Sequence, residues 1–181
     1  FAIVFVILLS NLSSAATRNC WSCSNCTAEI GNASAGDIVQ LNQSVSNVSG
    51  ACIDFGSTSN ISFNCQTNAI GGNSISEGSS DVGITLSSVN NNTIRNCNNV
   101  SQFYYGIYLS SSNSNTLTNI SLVNNNADTG IYLTFSNNNI LTNVTANNNP
   151  RGIYIDTSTN NTFTNITTNS NTVGIRLATG S

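Results

Sequence analysis

The chain contains no lysine, no histidine and no methionine, a single proline and a single tryptophan, and only 6% of its 181 residues are charged. Each shortage removes a class of function. Four arginines against seven acids leave a net charge of −3, so the chain cannot build the clustered positive surface that phosphate binding needs, and a nucleic-acid partner is excluded. Without histidine there is no imidazole for acid–base work or metal binding near neutral pH. Long apolar runs are also missing. The unbroken apolar stretch at residues 1–9 falls well short of the roughly 18 residues a membrane-spanning helix needs. Followed by Ser14-Ala15-Ala16, it reads as the core of a secretory signal peptide over residues 1–16, with cleavage after Ala16. The chain opens on Phe, so the charged start of such a signal is absent and the sequence reads as a fragment; a membrane role would require an upstream anchor.

What is present is polar and uncharged: 34 asparagines and 48 serines and threonines. These residues are organised by a repeat. Its anchor is Gly-Ile-x-Leu/Ile, at Gly83-Ile84-Thr85-Leu86, Gly106-Ile107-Tyr108-Leu109, Gly130-Ile131-Tyr132-Leu133, Gly152-Ile153-Tyr154-Ile155 and Gly174-Ile175-Arg176-Leu177, with glycines 23, 24, 22 and 22 residues apart. Thirteen residues after each of the first four glycines stands Asn96, Asn119, Asn143 or Asn165. The constant step confines insertions to the other part of each repeat. Such a period, with apolar residues alternating at spacing two, predicts one solenoid coil per repeat.

In Ile-Tyr-Leu the first and third side chains face one side of a strand and the tyrosine the other. A second strand is predicted over 115–120, 139–144 and 161–166, with Ile94, Leu117, Leu141 and Phe163 as its inward column. The absence of a 3.6-residue period and the wealth of β-branched residues and Asn exclude helical repeats. A lone coil cannot offset its ordering entropy, so coils must stack. Stacking places Asn96, Asn119, Asn143 and Asn165 in a column suited to amide-to-amide bonding, expected to be a buried structural ladder. The predicted fold class is all-β: a right-handed parallel β-helix with coils of about 22 to 24 residues.

The start is less regular. Residues 17–35 are expected to form a cysteine-containing terminal segment or cap, and residues 36–181 the β-helix, with its first strand at 36–41. Cys52-Ile53-Asp54-Phe55 and Asn60-Ile61-Ser62-Phe63-Asn64-Cys65 echo the two strands of a coil; the Gly/Ser-rich residues 71–80 read as a loop or short irregular coil. The chain stops just after the strand at 174–177, which reads as a solenoid truncated at its C-terminus, expected to associate end to end.

Ala51-Cys52-Ile53-Asp54-Phe55, together with the Gly-Ile-Tyr-Leu and Asn-Thr-Leu-Thr-Asn repeats, resembles the parallel β-helix repeat superfamily over roughly residues 36–181. That superfamily includes pectate lyases, polygalacturonases, many archaeal and bacterial surface proteins, and the copper-maturation accessory protein of nitrous oxide reductase. The resemblance implies the fold and leaves the activity open, because this scaffold hosts unrelated functions.

A polysaccharide lyase or hydrolase would need clustered carboxylates. Glu29, Asp37, Asp54, Glu77, Asp81, Asp128 and Asp156 share no repeated column, so no catalytic residues are assigned. Copper selects soft or imidazole ligands, and with neither His nor Met no metal site and no cofactor are expected. Cys20, Cys23 and Cys26 have metal-like spacing but no fourth local ligand. In an exported protein, disulfides among Cys20, Cys23, Cys26, Cys52, Cys65 and Cys97 are the expectation. The shared Asn-Cys pairs at 64–65 and 96–97 favour Cys65–Cys97. If residues 71–80 added a coil instead of looping out, Cys52 would become the partner of Cys65 or of the first cluster.

The outward column Thr85, Tyr108, Tyr132, Tyr154, Arg176 offers two readings: a ladder that stabilises neighbouring strands, or a flat sugar-binding platform on Tyr108, Tyr132 and Tyr154. Thr116, Thr118, Thr142, Thr162 and Thr164 resemble the Thr arrays of ice-binding solenoids, interrupted by Ile140 and Arg95. Twelve Asn-x-Ser/Thr sequons occur where composition alone gives about nine; glycans are expected at the loop sites Asn32, Asn42, Asn47 or Asn99. The leading expectation is an exported, non-enzymatic surface or secreted scaffold of adhesion type, outside the cell or on its surface. The alternatives are a carbohydrate-binding or polysaccharide-active protein and an ice-binding solenoid. The expected partners are a surface polysaccharide or another copy of the chain.

Overall fold

The computed structural model describes residues 14–73, 80–123 and 128–181; the proposed signal peptide lies largely outside them. Among the described residues the strands form three sheets in which every neighbouring pair is parallel. The first contains β1 (Thr17–Cys20), β2 (Ile38–Leu41), β5 (Ser62–Asn64), β8 (Thr93–Cys97), β11 (Thr116–Val123), β13 (Ile140–Asn147) and β15 (Thr162–Thr167). The second contains β4 (Ile53–Asp54), β7 (Val82–Ser87), β10 (Tyr105–Ser110), β12 (Thr129–Thr134), β14 (Arg151–Asp156) and β16 (Val173–Leu177). A short third sheet joins β3 (Val45–Val48), β6 (Ala69–Gly72) and β9 (Asn99–Ser101). Among the described residues every coil contributes one strand to the first sheet, every coil after the first contributes one to the second, and three coils contribute one to the third, which is the parallel β-helix that the repeat predicts.

The core is a set of in-register columns. Ile84, Ile107, Ile131 and Ile153 stack in the second sheet, and Phe63, Ile94, Leu117 and Leu141 in the first; all are fully buried. The repeated glycines have a steric cause. A Cβ on Gly83 or Gly152 would lie 2.5 Å from the carbonyl oxygen of the glycine in the next coil, so any side chain there would push the coils apart.

The asparagines follow from backbone conformation. Asn96, Asn119, Asn143 and Asn165 have φ between 54° and 57°, a left-handed corner that Asn tolerates better than other side-chain-bearing residues. Their amides form a ladder, Asn119 to Asn96 at 3.0 Å, Asn143 to Asn119 at 3.0 Å and Asn165 to Asn143 at 2.8 Å. This ladder is not the buried one expected, because Asn119, Asn143 and Asn165 are exposed. The left-handed corner turns the side chain outward. The buried column is instead Asn92, Asn115 and Asn139, where the backbone N–H of Asn92 donates to Asn115 Oδ1 (2.9 Å) and that of Asn115 to Asn139 Oδ1 (2.8 Å).

Two boundaries also differ. The solenoid begins at β1, not at residue 36: Thr17 to Cys20 pair with Ile38 to Leu41. With Cys20 as its one buried residue, β1 lacks the apolar alternation that marks a strand. Between β1 and β2 runs α1 (Cys23–Gly31), started by Ser22, whose side chain accepts from the backbone N–H of Asn25 (3.2 Å). It packs on β1, β2 and β4 and buries Cys26 and Ile30. Within the expected loop, residues 71 and 72 belong to β6; residues 74–79 lie outside the described residues. β5 pairs directly with β8, so the stretch between β6 and β7 adds no strand to the first sheet.

Candidate functional site: a tyrosine ladder on the second sheet

Parallel pairing in register places one residue of each coil directly above its equivalent. On the outer face of the second sheet the column runs Asp54, Thr85, Tyr108, Tyr132, Tyr154, Arg176. The rings stack: Tyr108 and Tyr132 have centroids 5.3 Å apart at 30°, and Tyr132 and Tyr154 4.8 Å apart at 5°. Tyr105 joins them, 5.3 Å from both Tyr108 and Tyr132. Arg176 stacks over Tyr154 at 5.0 Å, with Arg151 at 5.2 Å. The ring faces are therefore covered by neighbouring rings or guanidiniums, and the four side chains are half-buried. Covered faces fit the first of the two readings, a ladder between strands, better than an open, flat stacking platform.

Tyr105 was not legible from the tyrosine spacing. It lies three residues before Tyr108, which in a regular strand is the opposite face. In β10 the alternation breaks, because Gly106 and Ile107 are both buried, and Tyr105 and Tyr108 on either side of them are both half-buried with their rings stacked. Charge gathers here as well. Arg151 pairs with Asp128, and the Tyr132 hydroxyl lies 3.4 Å from Asp156 Oδ2. Burial pushes the hydroxyl pKa values of Tyr105 and Tyr132 up, with Asp128 adding to the effect at Tyr105 and Asp156 at Tyr132. These phenols stay protonated donors at neutral pH.

The cysteines form three disulfides, Cys20–Cys26, Cys23–Cys52 and Cys65–Cys97, with Cα separations of 4.9, 4.7 and 4.8 Å. Cys65 and Cys97 occupy the same corner of directly stacked coils. Asn32, Asn42 and Asn47 are exposed, whereas Asn99 is half-buried, with its amide donating to Ser101 Oγ (3.2 Å). In the threonine columns, Ile140 stands between Thr116 and Thr162, and Arg95 below Thr118.

The family model described as periplasmic copper-binding protein (NosD) matches residues 22–181. The chain belongs to the NosD family. No curated protein and no solved structure matches it. NosD is a periplasmic β-helix family, so the chain is exported; no helix among the described residues is long and apolar enough to cross a membrane. The donor set does not fit the metal in the family's description. The chain has neither His nor Met, all six cysteine sulfurs are oxidised in disulfides, and the described residues contain no group of three or more His, Cys, Asp or Glu side chains placed to hold an ion.

Proposed function

We propose that this NosD-family chain is a non-enzymatic exported scaffold whose second sheet is its docking face. The observation that carries this reading is segregation. Tyr105, Tyr108, Tyr132, Tyr154, Asp128, Arg151, Asp156 and Arg176 share one face, while the outer columns of the first sheet are mainly neutral Thr, Ser, Gln and Asn. A surface polysaccharide suits such a face: hydroxyls repeat once per coil, and an uncharged extended chain can hydrogen-bond to that row without meeting a like-charge field. Because the ring faces are covered, recognition falls to the hydroxyl edges.

A glycan array carrying neutral polysaccharides, with anionic pectin as the charged comparison, tests this. Binding is expected to be lost in Tyr132→Phe, which removes the hydroxyl and keeps the ring. Binding unaffected by that change would place the partner elsewhere. Cleavage of a bound polymer would overturn the non-enzymatic reading, and stoichiometric copper uptake would overturn the donor-set argument.

A further inference from the structure

We propose that Tyr132 and Tyr154 form an oxidative cross-linking site, where a one-electron oxidant of peroxidase type couples the two rings into an intramolecular dityrosine joining β12 to β14. Their rings lie 4.8 Å apart at 5°, the most nearly parallel of the tyrosine contacts; only Tyr104 and Tyr105 have closer centroids, at 4.7 Å, and they meet edge to face at 78°. In-register pairing of Tyr132 with Tyr154 gives both side chains the same origin and direction, so the carbons beside each hydroxyl face one another. Both side chains are half-buried: an oxidant can reach the edges, and the stack restricts ring movement.

The electron balance is complete with that oxidant. Each phenol loses one electron and its hydroxyl proton, and Asp156 Oδ2, 3.4 Å from the Tyr132 oxygen, is placed to take one of those protons. The two radicals join through one carbon–carbon bond ortho to the hydroxyls, and the ring protons at those carbons move to oxygen and restore both phenols. The net loss is two electrons and two protons, which reduce one hydrogen peroxide to two waters. Separate tyrosyl radicals must meet by diffusion; here they are held in contact, an advantage of the kind that makes positioned intramolecular reactions fast.

The distribution of covalent ties supports the assignment. The disulfides join the coils up to Cys97, and the strands from β10 to β16 contain no cysteine. The ladder begins at Tyr105, where the disulfides end. The disulfides place the chain in a compartment that does not reduce thiols; oxidation of the phenols still needs the stronger peroxidase-type oxidant named above.

The test treats the purified chain with peroxidase and hydrogen peroxide, then isolates the monomer. The expected product shows blue dityrosine fluorescence, a mass lower by two hydrogens, and a linked peptide pair containing Tyr132 and Tyr154. Tyr132→Phe, which keeps the stacked ring, should reduce this product to background, and Tyr105→Phe should leave it intact. Dityrosine confined to covalent dimers, a monomer cross-link at another pair, or an undiminished yield in Tyr132→Phe would each overturn the proposal.

Discussion

Asp37 and Asp81 are both buried, and their surroundings drive them in opposite directions. Asp37 accepts from the backbone N–H of Ser34 (2.9 Å), from that of Ala16 (2.8 Å) while the residues up to Ala16 remain attached, and from Arg18 Nε (3.1 Å), which hold its carboxyl below the usual range. Neither oxygen of Asp81 has a hydrogen-bond partner among the described residues; burial raises its pKa, only partly offset by the nearby Gly50 backbone N–H. The stability due to Asp37 is present above the ordinary carboxylate pKa and is lost as pH falls through its lowered value. The contribution of Asp81 is present below the ordinary pKa and is lost as pH rises through its raised value. Thermal melts should therefore show Asp37→Ala less stable than the parent at neutral pH, with the gap closing in acid. Asp81→Asn should be more stable at neutral pH and show no gain at about pH 3. An Asp81→Asn gain that persists in acid would mean that charge is not its cause.

At the scale of the element, each coil corner is held by an asparagine column, and the two columns differ in burial. Asn139 is fully buried; its Oδ1 accepts from the Asn115 backbone, and its amide donates to the Ser112 carbonyl at 3.0 Å. Asn139→Ala leaves buried backbone groups unpaired, at a cost of about 1–3 kcal/mol for each. Asn143, exposed and at φ 54°, can be replaced by glycine, which adopts that conformation freely while water takes over the lost amide bonds. Asn143→Gly should stay within about 0.5 kcal/mol of the parent. Urea midpoints for the two variants give the comparison, and equal losses would show that burial does not distinguish the ladders.

For the whole molecule, a solenoid's stability is a sum of coil and neighbour terms, so damage can remain local. Leu141 is fully buried between Leu117 and Phe163, and Leu141→Asp puts an unpaired carboxylate there, costing several kcal/mol. Hydrogen exchange should show β11 to β16 losing protection, while the coils fastened by the three disulfides keep it. Loss of protection throughout would show that the chain folds as one cooperative unit. The two ends differ as well. α1 covers the first coil, whereas Val173, Ile175 and Leu177 on β16 are exposed.

The sequence by itself determined the period, the two principal strands of each coil, the inward columns and the cysteine corner shared by residues 65 and 97. All of these depend on local alternation or constant spacing, which survive in one dimension. Tertiary structure decided what depends on contacts between coils. β1 became a strand by pairing with β2, despite its polar sequence. The third sheet emerged from segments too short and irregular to show a period. The left-handed φ of Asn119 and Asn143 turned the expected buried ladder outward and left burial to Asn115 and Asn139. In-register stacking then closed the tyrosine faces: the alternation placed Tyr108, Tyr132 and Tyr154 on the outside, but the one-coil rise between them put each ring against the next.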